Sequence, residues 1–431
     1  MSQELTDTVI LGGGIAGLSL AHFLNEPTIV LERDREVGGL CKSYKMNGIA
    51  YDVGPHIIFS KHQEVLDLHT KIIPTNRIRR SNQIFFKGRY VKYPFENDLS
   101  KLDADDRDYC VKEFVRNPYE AYKPGNMLQF FLSTFGEGIT RLYLQPYNEK
   151  IWKYDPAYMD TQMVERIPKP PKEDVIKSAA GTETEGYLHQ LYFHYPQAGG
   201  FQTLVDEYAR LVQEKSRIDT DVQIERISKS GEHWEVFTNK GTYKTRRLIN
   251  CIPLHELFKL IEAPQDIRET LDKLIYNSIH IVMVQCKKDK IGDHFALYLP
   301  EKETIFHRLS KLNFLGESYC LPDGGSTLMA EITFRPDSYL GSLSKEQIEK
   351  RVTEDLDRLG FVARGDVTSI ETRTFKYAYV IYDVDHRQNT DRVLRYLESQ
   401  GIYSCGRFAE FEYLNSDQVV HRAMSLARRL K

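Results

Sequence analysis

Three glycines at a fixed spacing constrain this chain more than any other feature. Gly12-x-Gly14-x-x-Gly17 follows the apolar run Thr8–Leu11 and opens a stretch, Ala16–Leu24, whose apolar residues recur at helical spacing. A second apolar run, Thr28–Leu31, comes next and ends at Glu32, 20 residues beyond Gly12. Strand, glycine turn, helix, strand is the opening of a doubly wound α/β domain. The first glycine permits the tight turn, the second lets backbone approach a pyrophosphate, and the third lets helix and strand touch. The helix then offers unpaired N–H groups and the positive end of its dipole to phosphate. Glu32 is placed to accept hydrogen bonds from ribose hydroxyls.

The residues after Glu32 choose between dinucleotides. Glu32-Arg33 is followed by a second tight pair, Gly38-Gly39, and Leu40. An NAD domain would run on into its next βα unit. A glycine pair here instead leaves backbone room for a longer cofactor, so FAD is expected. The rest of the sequence bounds the class. At 431 residues the chain exceeds one core and should divide into domains. Apolar residues make up 41% and charged residues 28%, so it packs and is not disordered. A net charge of −3 gives no footprint for nucleic acid. No apolar run reaches a membrane span, and the N-terminus lacks the basic and apolar regions of a signal peptide. The six cysteines show neither CxxC nor a metal-ligand spacing, so no metal is expected and a cytoplasmic setting is.

The predicted architecture is α/β: a Rossmann-type FAD domain in three segments (1–75, 195–265 and 395–431), with two other modules inserted. Residues 76–194 read as mainly helical, broken at Asn117-Pro118, Pro124-Gly125 and Ile167–Pro171, with Ala180–Gly186 composed like a mobile loop. Dinucleotide-domain texture returns in a helix over Gly199–Val212 and a strand over Ile218–Ile227. A meander follows at Trp234–Thr238 and Thr242–Lys244, then a buried strand at Leu248–Ile252. Residues 266–394 alternate apolar and polar at His280–Val284, Phe295–Leu299, Thr327–Ile332 and Ala378–Tyr382, an antiparallel sheet buried on one face. Ile402–Cys405 and a capped helix over Asn415–Leu430 close the cofactor domain.

Four stretches carry a resemblance. Gly54-Pro55-His56-Ile57-Ile58-Phe59; Tyr147-Asn148-Glu149-Lys150-Ile151-Trp152 with Val164–Pro168; Tyr195–Phe201; and Cys405–Tyr413 with Asp417-Gln418 resemble, in order, segments of the UDP-galactopyranose mutases. These belong to the amine-oxidase-like flavoproteins, and the eukaryotic type is the most similar. The resemblance implies a pyranose–furanose mutase of UDP-galactose or a related nucleotide sugar. In that family reduced FAD attacks the anomeric carbon through N5, and the adduct opens and recloses as the furanose. A reductant such as NAD(P)H or a reduced flavin, and a homo-oligomer, are implied with it.

Residue by residue, the resemblance places Val222 beside adenine. Gly54, His56, Gly406, Arg407, Asp417, Gln418 and Val419 fall around the ribityl chain and flavin. Arg308 lies at the catalytic arginine's position, with His56 and Arg166 beside it. Tyr147 would stack on the base, Trp152 would wall the sugar pocket and Tyr379 would bind the diphosphate, with Asn148 and Tyr382 also among the substrate contacts. There are departures. The bacterial loop arginine falls on Pro170, leaving Arg166 as stand-in, and Phe334 stands where a second diphosphate tyrosine is expected. The competing reading is an FAD oxidoreductase of the amine oxidase or protoporphyrinogen oxidase type, with an apolar tunnel in place of an Arg/Tyr pocket. A flavoprotein kept only for binding is a third.

Overall fold

A computed structural model describes residues 5–164, 167, 169–184 and 191–431. The glycine unit forms as its spacing requires. Strand Leu5–Leu11 pairs in parallel with Thr28–Leu31 on one side and with Gly241–Asn250 on the other. Around this centre a seven-stranded sheet adds Arg217–Asp219, Ile224–Ser230, His233–Thr238 and Ile402–Ser404. Helix Ile15–Leu24 is buried along nearly its whole length. It can be apolar all round because helices Gln202–Gln213 and Ser416–Leu430 cover it on the side away from the sheet. The last helix carries a capping box, Asn415 with Gln418.

Two expectations here change. The strand predicted over Ile218–Ile227 is two strands, Arg217–Asp219 and Ile224–Ser230, at opposite edges of the sheet. Val222 lies in the crossing between them, its N–H on the Glu32 carbonyl (2.9 Å), so it is not a strand residue. Conversely, the second limb of the meander and the buried strand are one element, Gly241–Asn250. Its first half pairs antiparallel with His233–Thr238, and its last three residues pair in parallel with Ile402–Ser404. A change of partner within one strand explains why its sequence reads as two.

The second sheet also has seven strands, in the order Val367–Val380, Tyr276–Cys286, Ser326–Phe334, Arg308–Lys311, Ala296–Tyr298, Asn82–Phe86, Arg89–Lys92. It is antiparallel except where Ala296–Tyr298 meets Asn82–Phe86 in parallel. Its central strands are buried on both faces, not one. Val282, Val284, Leu328 and Ile332 pack under helix Lys345–Arg358, and Ile279, Ile281, Met283 and Met329 pack on the opposite face. Residues 82–92, grouped by sequence with the helical insertion, supply the last two strands at one side of this sheet, with Arg89–Lys92 at its edge. Three long helical stretches, Ala104–Val115, Met127–Ile139 and Gln145–Trp152, follow them. Among the described residues no helix is long and apolar enough to cross a membrane, and no cluster of metal-ligating side chains occurs.

Candidate functional site

At the glycine turn, φ is +101° at Gly12, open to glycine and strained for other residues. A methyl group on Gly17 would lie 2.0 Å from the Gly12 carbonyl oxygen, so the third glycine is required by the fold itself. Gly14 differs. A Cβ there would meet nothing closer than 3.9 Å, and what it meets is the backbone of Gly38 and Gly39. The two glycine segments form a bridge, with Gly38 N–H on the Gly13 carbonyl (2.8 Å). They leave between them a cradle of bare backbone at a helix N-terminus. Glu32 is buried, and its carboxylate accepts from Gly13 N–H (2.8 Å) and Asp34 N–H (2.9 Å), which fixes it beside the cradle. Arg33 points to solvent, its guanidinium against Asp34 and its carbonyl accepting from Gln223 (3.4 Å). Leu40 is half-buried against the core, and Gly406, at φ +116°, packs on Ala16.

From this cradle the chain leads to a polar, aromatic centre built by several separate segments. Arg308 begins one strand and stands directly across from Glu331 on the next. Its guanidinium binds the Glu331 carboxylate through two nitrogens, Nε and one Nη (2.6 Å), and Glu331 has no solvent exposure at all. The third nitrogen, Nη1, has no protein partner among the described residues and faces outward from the fork. Gly54, at φ +78°, passes over the pair, and a Cβ there would come within 3.2 Å of the carboxylate and 3.4 Å of the guanidinium.

His56 follows two residues later. Its Nδ1 is buried without a hydrogen-bond partner among the described residues. Burial, with the charges of Arg407 and Arg308 adding to it, pushes its pKa down to about 3, so the imidazole is neutral at physiological pH. A cradle of bare backbone at a helix N-terminus and an orphaned imidazole nitrogen near Arg308 are what a flavin's pyrophosphate and polar ring edge would each complete. The residues present therefore fit that cofactor.

The aromatic wall comes from elsewhere in the chain. Tyr147 stacks on Tyr143 (5.5 Å between centroids) and meets Tyr298 edge-on. Trp152, one helical turn further, packs edge-on against both Tyr379 and Tyr413 (5.6 Å each). Asn148 accepts from the Trp152 indole N–H at 2.8 Å, so it orients the tryptophan. Arg407 reaches the carbonyls of Ala378 and Leu414, tying the segments that carry Tyr379 and Tyr413, and lies over the Tyr413 ring. Burial raises the pKa of both Tyr147 and Tyr379, with neighbouring Tyr298 and Glu331 adding to it. Their hydroxyls stay protonated and can act as donors.

Other expected residues sit differently. Tyr382 is buried, its hydroxyl accepting from Tyr413 N–H (2.8 Å) and donating to Glu412, so it supports Tyr413 from behind. Asp417 accepts from Ser60 (2.7 Å), Gln418 is committed to the cap of its helix, and Val419 is a core residue. These three shape the helix end. Phe334, which stands where a second diphosphate tyrosine was expected, is buried and stacked on His280 (4.1 Å). Arg166 lies outside the described residues.

Sequence reasoning passed over Glu331, although a carboxylate inside the apolar run Leu328–Phe334 must be paired if that strand is buried. It also gave no role to Tyr298, His307 or Tyr413, and nothing local in their sequence marks them.

Comparison with known proteins agrees with this geometry. The backbone superposes on a crystal structure of reduced UDP-galactopyranose mutase with a TM-score of 0.89, at 24% identity, covering 98% of this chain and 95% of that one. Protoporphyrinogen oxidase 2 of Arabidopsis thaliana is 23% identical over 87% of this chain and 84% of its own length. A UDP-galactopyranose mutase of Mycoplasma pneumoniae is 23% identical over 37% of this chain, and the match spans 44% of that protein. A match to the inactive all-trans-retinol 13,14-reductase of Danio rerio, 35% identical, spans only 18% of that protein. The model of the flavin containing amine oxidoreductases matches residues 15–408. The chain belongs to that family, as a flavoprotein with the fold of the UDP-galactopyranose mutases.

Proposed function

We propose that this flavoprotein binds FAD and is a nucleotide-sugar mutase, interconverting the pyranose and furanose forms of UDP-galactose or a related sugar nucleotide. The observation that carries the reading is the Arg308–Glu331 fork, set beneath Gly54 and His56 and ringed by tyrosine hydroxyls. An oxidase acting on an apolar substrate has no use for a guanidinium held this way.

The bound, reduced flavin would supply the nucleophile toward the anomeric carbon. The protein's part is to hold the sugar nucleotide in line and to stabilise the leaving diphosphate. Glu331 fixes the plane of the guanidinium through two nitrogens, which leaves Nη1 to donate to a phosphoryl oxygen. A donor held in place before charge develops needs no reorganisation as it develops. Tyr379, protonated and within electrostatic reach of Arg308, can add a second donor. Trp152 closes the sugar pocket, and Tyr147 offers a face to the base. The neutral His56 is a hydrogen-bonding partner for the flavin edge, without a charge of its own.

The second reading, an FAD oxidoreductase, is favoured by the protoporphyrinogen oxidase match along most of the chain. Stoichiometry separates the two. A mutase, reduced once with dithionite, converts UDP-galactofuranose to the pyranose over many turnovers while consuming neither reductant nor oxygen. Product that tracks oxygen uptake one for one would favour the oxidoreductase.

A further inference from the structure

Behind Tyr147 the structure gathers polar groups that the fold leaves unsatisfied. The segment Phe95–Asn97 is a single 3₁₀ turn whose three residues are all buried. Phe95 stacks on Tyr143 (5.0 Å), which stacks in turn on Tyr147 (5.5 Å). The next residue, Glu96, is 5% exposed, and no side chain among the described residues pairs with its carboxyl. Asn97 is 5% exposed as well. Its Oδ1 accepts from Thr184 (2.9 Å), but its Nδ2 has no partner among the described residues. Asn82, on the neighbouring strand, donates to the Tyr298 hydroxyl (3.0 Å), and its Oδ1 has no partner among the described residues. Tyr93 and Tyr147 both meet the Tyr298 ring. An amide donor and an amide acceptor unpaired among the described residues, and a buried carboxyl that accepts among them only from its own backbone N–H, are costly beside a stack of tyrosines unless something completes them.

We infer that Glu96 and Asn97 read the edge of the nucleobase, and that the base they fit is guanine, so that the substrate is a guanosine-diphosphate sugar. The inference rests on the reading of this centre as a nucleotide-sugar site. An aromatic stack supplies a face for any base and selects among them weakly. Selection must come from the edge. An ionised carboxylate is acceptor only, with two oxygens side by side. Guanine alone among the common bases presents two adjacent donors, N1–H and N2–H, with the O6 acceptor next to them. Glu96 can take both donors at once, and the unpaired Asn97 amide can donate to O6. Uracil presents one donor between two acceptors, so a carboxylate gains one hydrogen bond and sets its second oxygen against a carbonyl. An amide would suit uracil better, accepting from N3–H while donating to the neighbouring carbonyl. Burial raises the Glu96 pKa to about 7, as expected for a carboxyl awaiting donors, and two N–H groups would hold it ionised.

The test is a titration of the flavin-loaded protein with GDP, UDP, CDP and ADP, repeated on Glu96→Gln and Asn97→Ala. A good bidentate pair discriminates by about tenfold or more. The wild type should bind GDP at least tenfold tighter than UDP. Glu96→Gln should reverse the order, weakening GDP and strengthening UDP. A gain cannot come from misfolding, so the swap is informative even if the variant is less stable. Asn97→Ala should weaken GDP without favouring another base. If the wild type prefers UDP, or if Glu96→Gln weakens every nucleotide equally, the guanine assignment is wrong while the mutase reading stands. If no nucleoside diphosphate binds, both fall together.

Discussion

The two ends of the cofactor-binding region are built by opposite means. At the glycine turn, six positions within a span of 28 residues (Gly12 to Gly39) create the site, and they do so with backbone. At the Arg308 centre, side chains from Gly54–His56, Gln145–Trp152, Arg308, Glu331 and Tyr379–Tyr413 meet from across the chain. Backbone sites are set by local rules, since φ, helix polarity and close approach depend on neighbours in sequence. Side-chain sites are set by register. Arg308 meets Glu331 only because Arg308–Lys311 pairs with Ser326–Phe334 in one alignment, and a one-residue slip would send one of them to the other face.

The contrast is sharpest in what a substitution should do. A Cβ on Gly14 would make only ordinary contact with the backbone of Gly38 and Gly39 (3.9 and 4.0 Å), whereas one on Gly17 would clash with the Gly12 carbonyl oxygen at 2.0 Å. Gly14→Val should therefore leave folding cooperative and the melting temperature of the flavin-free protein close to wild type, yet abolish the yellow colour, because the side chain fills the cradle. Gly17→Ala should instead destabilise the chain with or without flavin. Equal loss of stability in both would show that Gly14 is a folding residue and not a cofactor contact.

At the other end the largest effect should fall on rate. Arg308→Ala should lower turnover by about a hundredfold or more, the usual cost of removing one preorganised donor. Flavin content should stay unchanged. The same substitution strands the fully buried Glu331, so stability should drop by about 3–5 kcal/mol. Arg308→Met with Glu331→Leu removes the orphaned charge as well as the guanidinium. That double variant should regain most of the stability and none of the activity. Recovery of turnover in it would remove Arg308 from the chemistry. Below this in size comes nucleotide affinity: a base stacked on an aromatic ring is worth about 1–3 kcal/mol. Tyr147→Ala should weaken nucleotide binding about tenfold or more, as read by flavin fluorescence, without moving flavin content.

The same contrast explains what the sequence could and could not disclose. The glycine unit, Glu32 and the second glycine pair were legible because each obeys a local rule. The three-segment α/β plan was legible because the cofactor-domain texture recurs. The single strand Gly241–Asn250 was not, because it changes partner midway and its apolar pattern changes with it. The strands at 82–92 were hidden for a related reason, since they complete a sheet whose centre lies two hundred residues away. Positions of Arg308, Tyr147, Trp152 and Tyr379 came through family resemblance, and their partners did not. Glu331 needed a register, and Asn97 needed a count of unpaired buried atoms, neither of which a linear reading contains.

A smaller effect should appear in acid. His56 is held neutral with its pKa near 3, against an unfolded value of about 6.5. Above pH 6.5 neither state binds the proton, and the native state loses nothing. Between pH 6.5 and 3 the unfolded chain binds a proton the folded one refuses, so stability falls by up to about 1.4 kcal/mol per pH unit for this group. His56→Gln should flatten the acid limb of a denaturation profile relative to wild type and leave the limb above pH 7 unchanged. An identical acid limb would mean that His56 takes up its proton in the folded protein.

The smallest effect sharpens the comparison most, because it concerns a residue on the border between support and site. Tyr382 was expected among the substrate contacts, yet its hydroxyl is fully used: it accepts from Tyr413 N–H and donates to Glu412, which Arg387 also binds. A ring whose polar end is satisfied inside the protein has nothing left to offer a diphosphate. Tyr382→Phe keeps the ring, and with it the stack on His386 (4.0 Å). It removes two hydrogen bonds, the one donated to Glu412, which retains its ion pair with Arg387, and the one accepted from Tyr413 N–H. A net loss of about 1–2 kcal/mol in stability is expected, the cost of losing buried hydrogen bonds. Turnover and nucleotide affinity should change no more than about threefold, since Tyr413 is still packed against Trp152 and Tyr379. Tyr379→Phe is the control in the opposite sense, since no hydrogen-bond partner holds its hydroxyl among the described residues at the same centre. It should cost rate and spare stability. If Tyr382→Phe slows turnover as Tyr379→Phe does, then the hydroxyl leaves Glu412 for substrate during the reaction, and the border between support and site has been drawn one residue too far in.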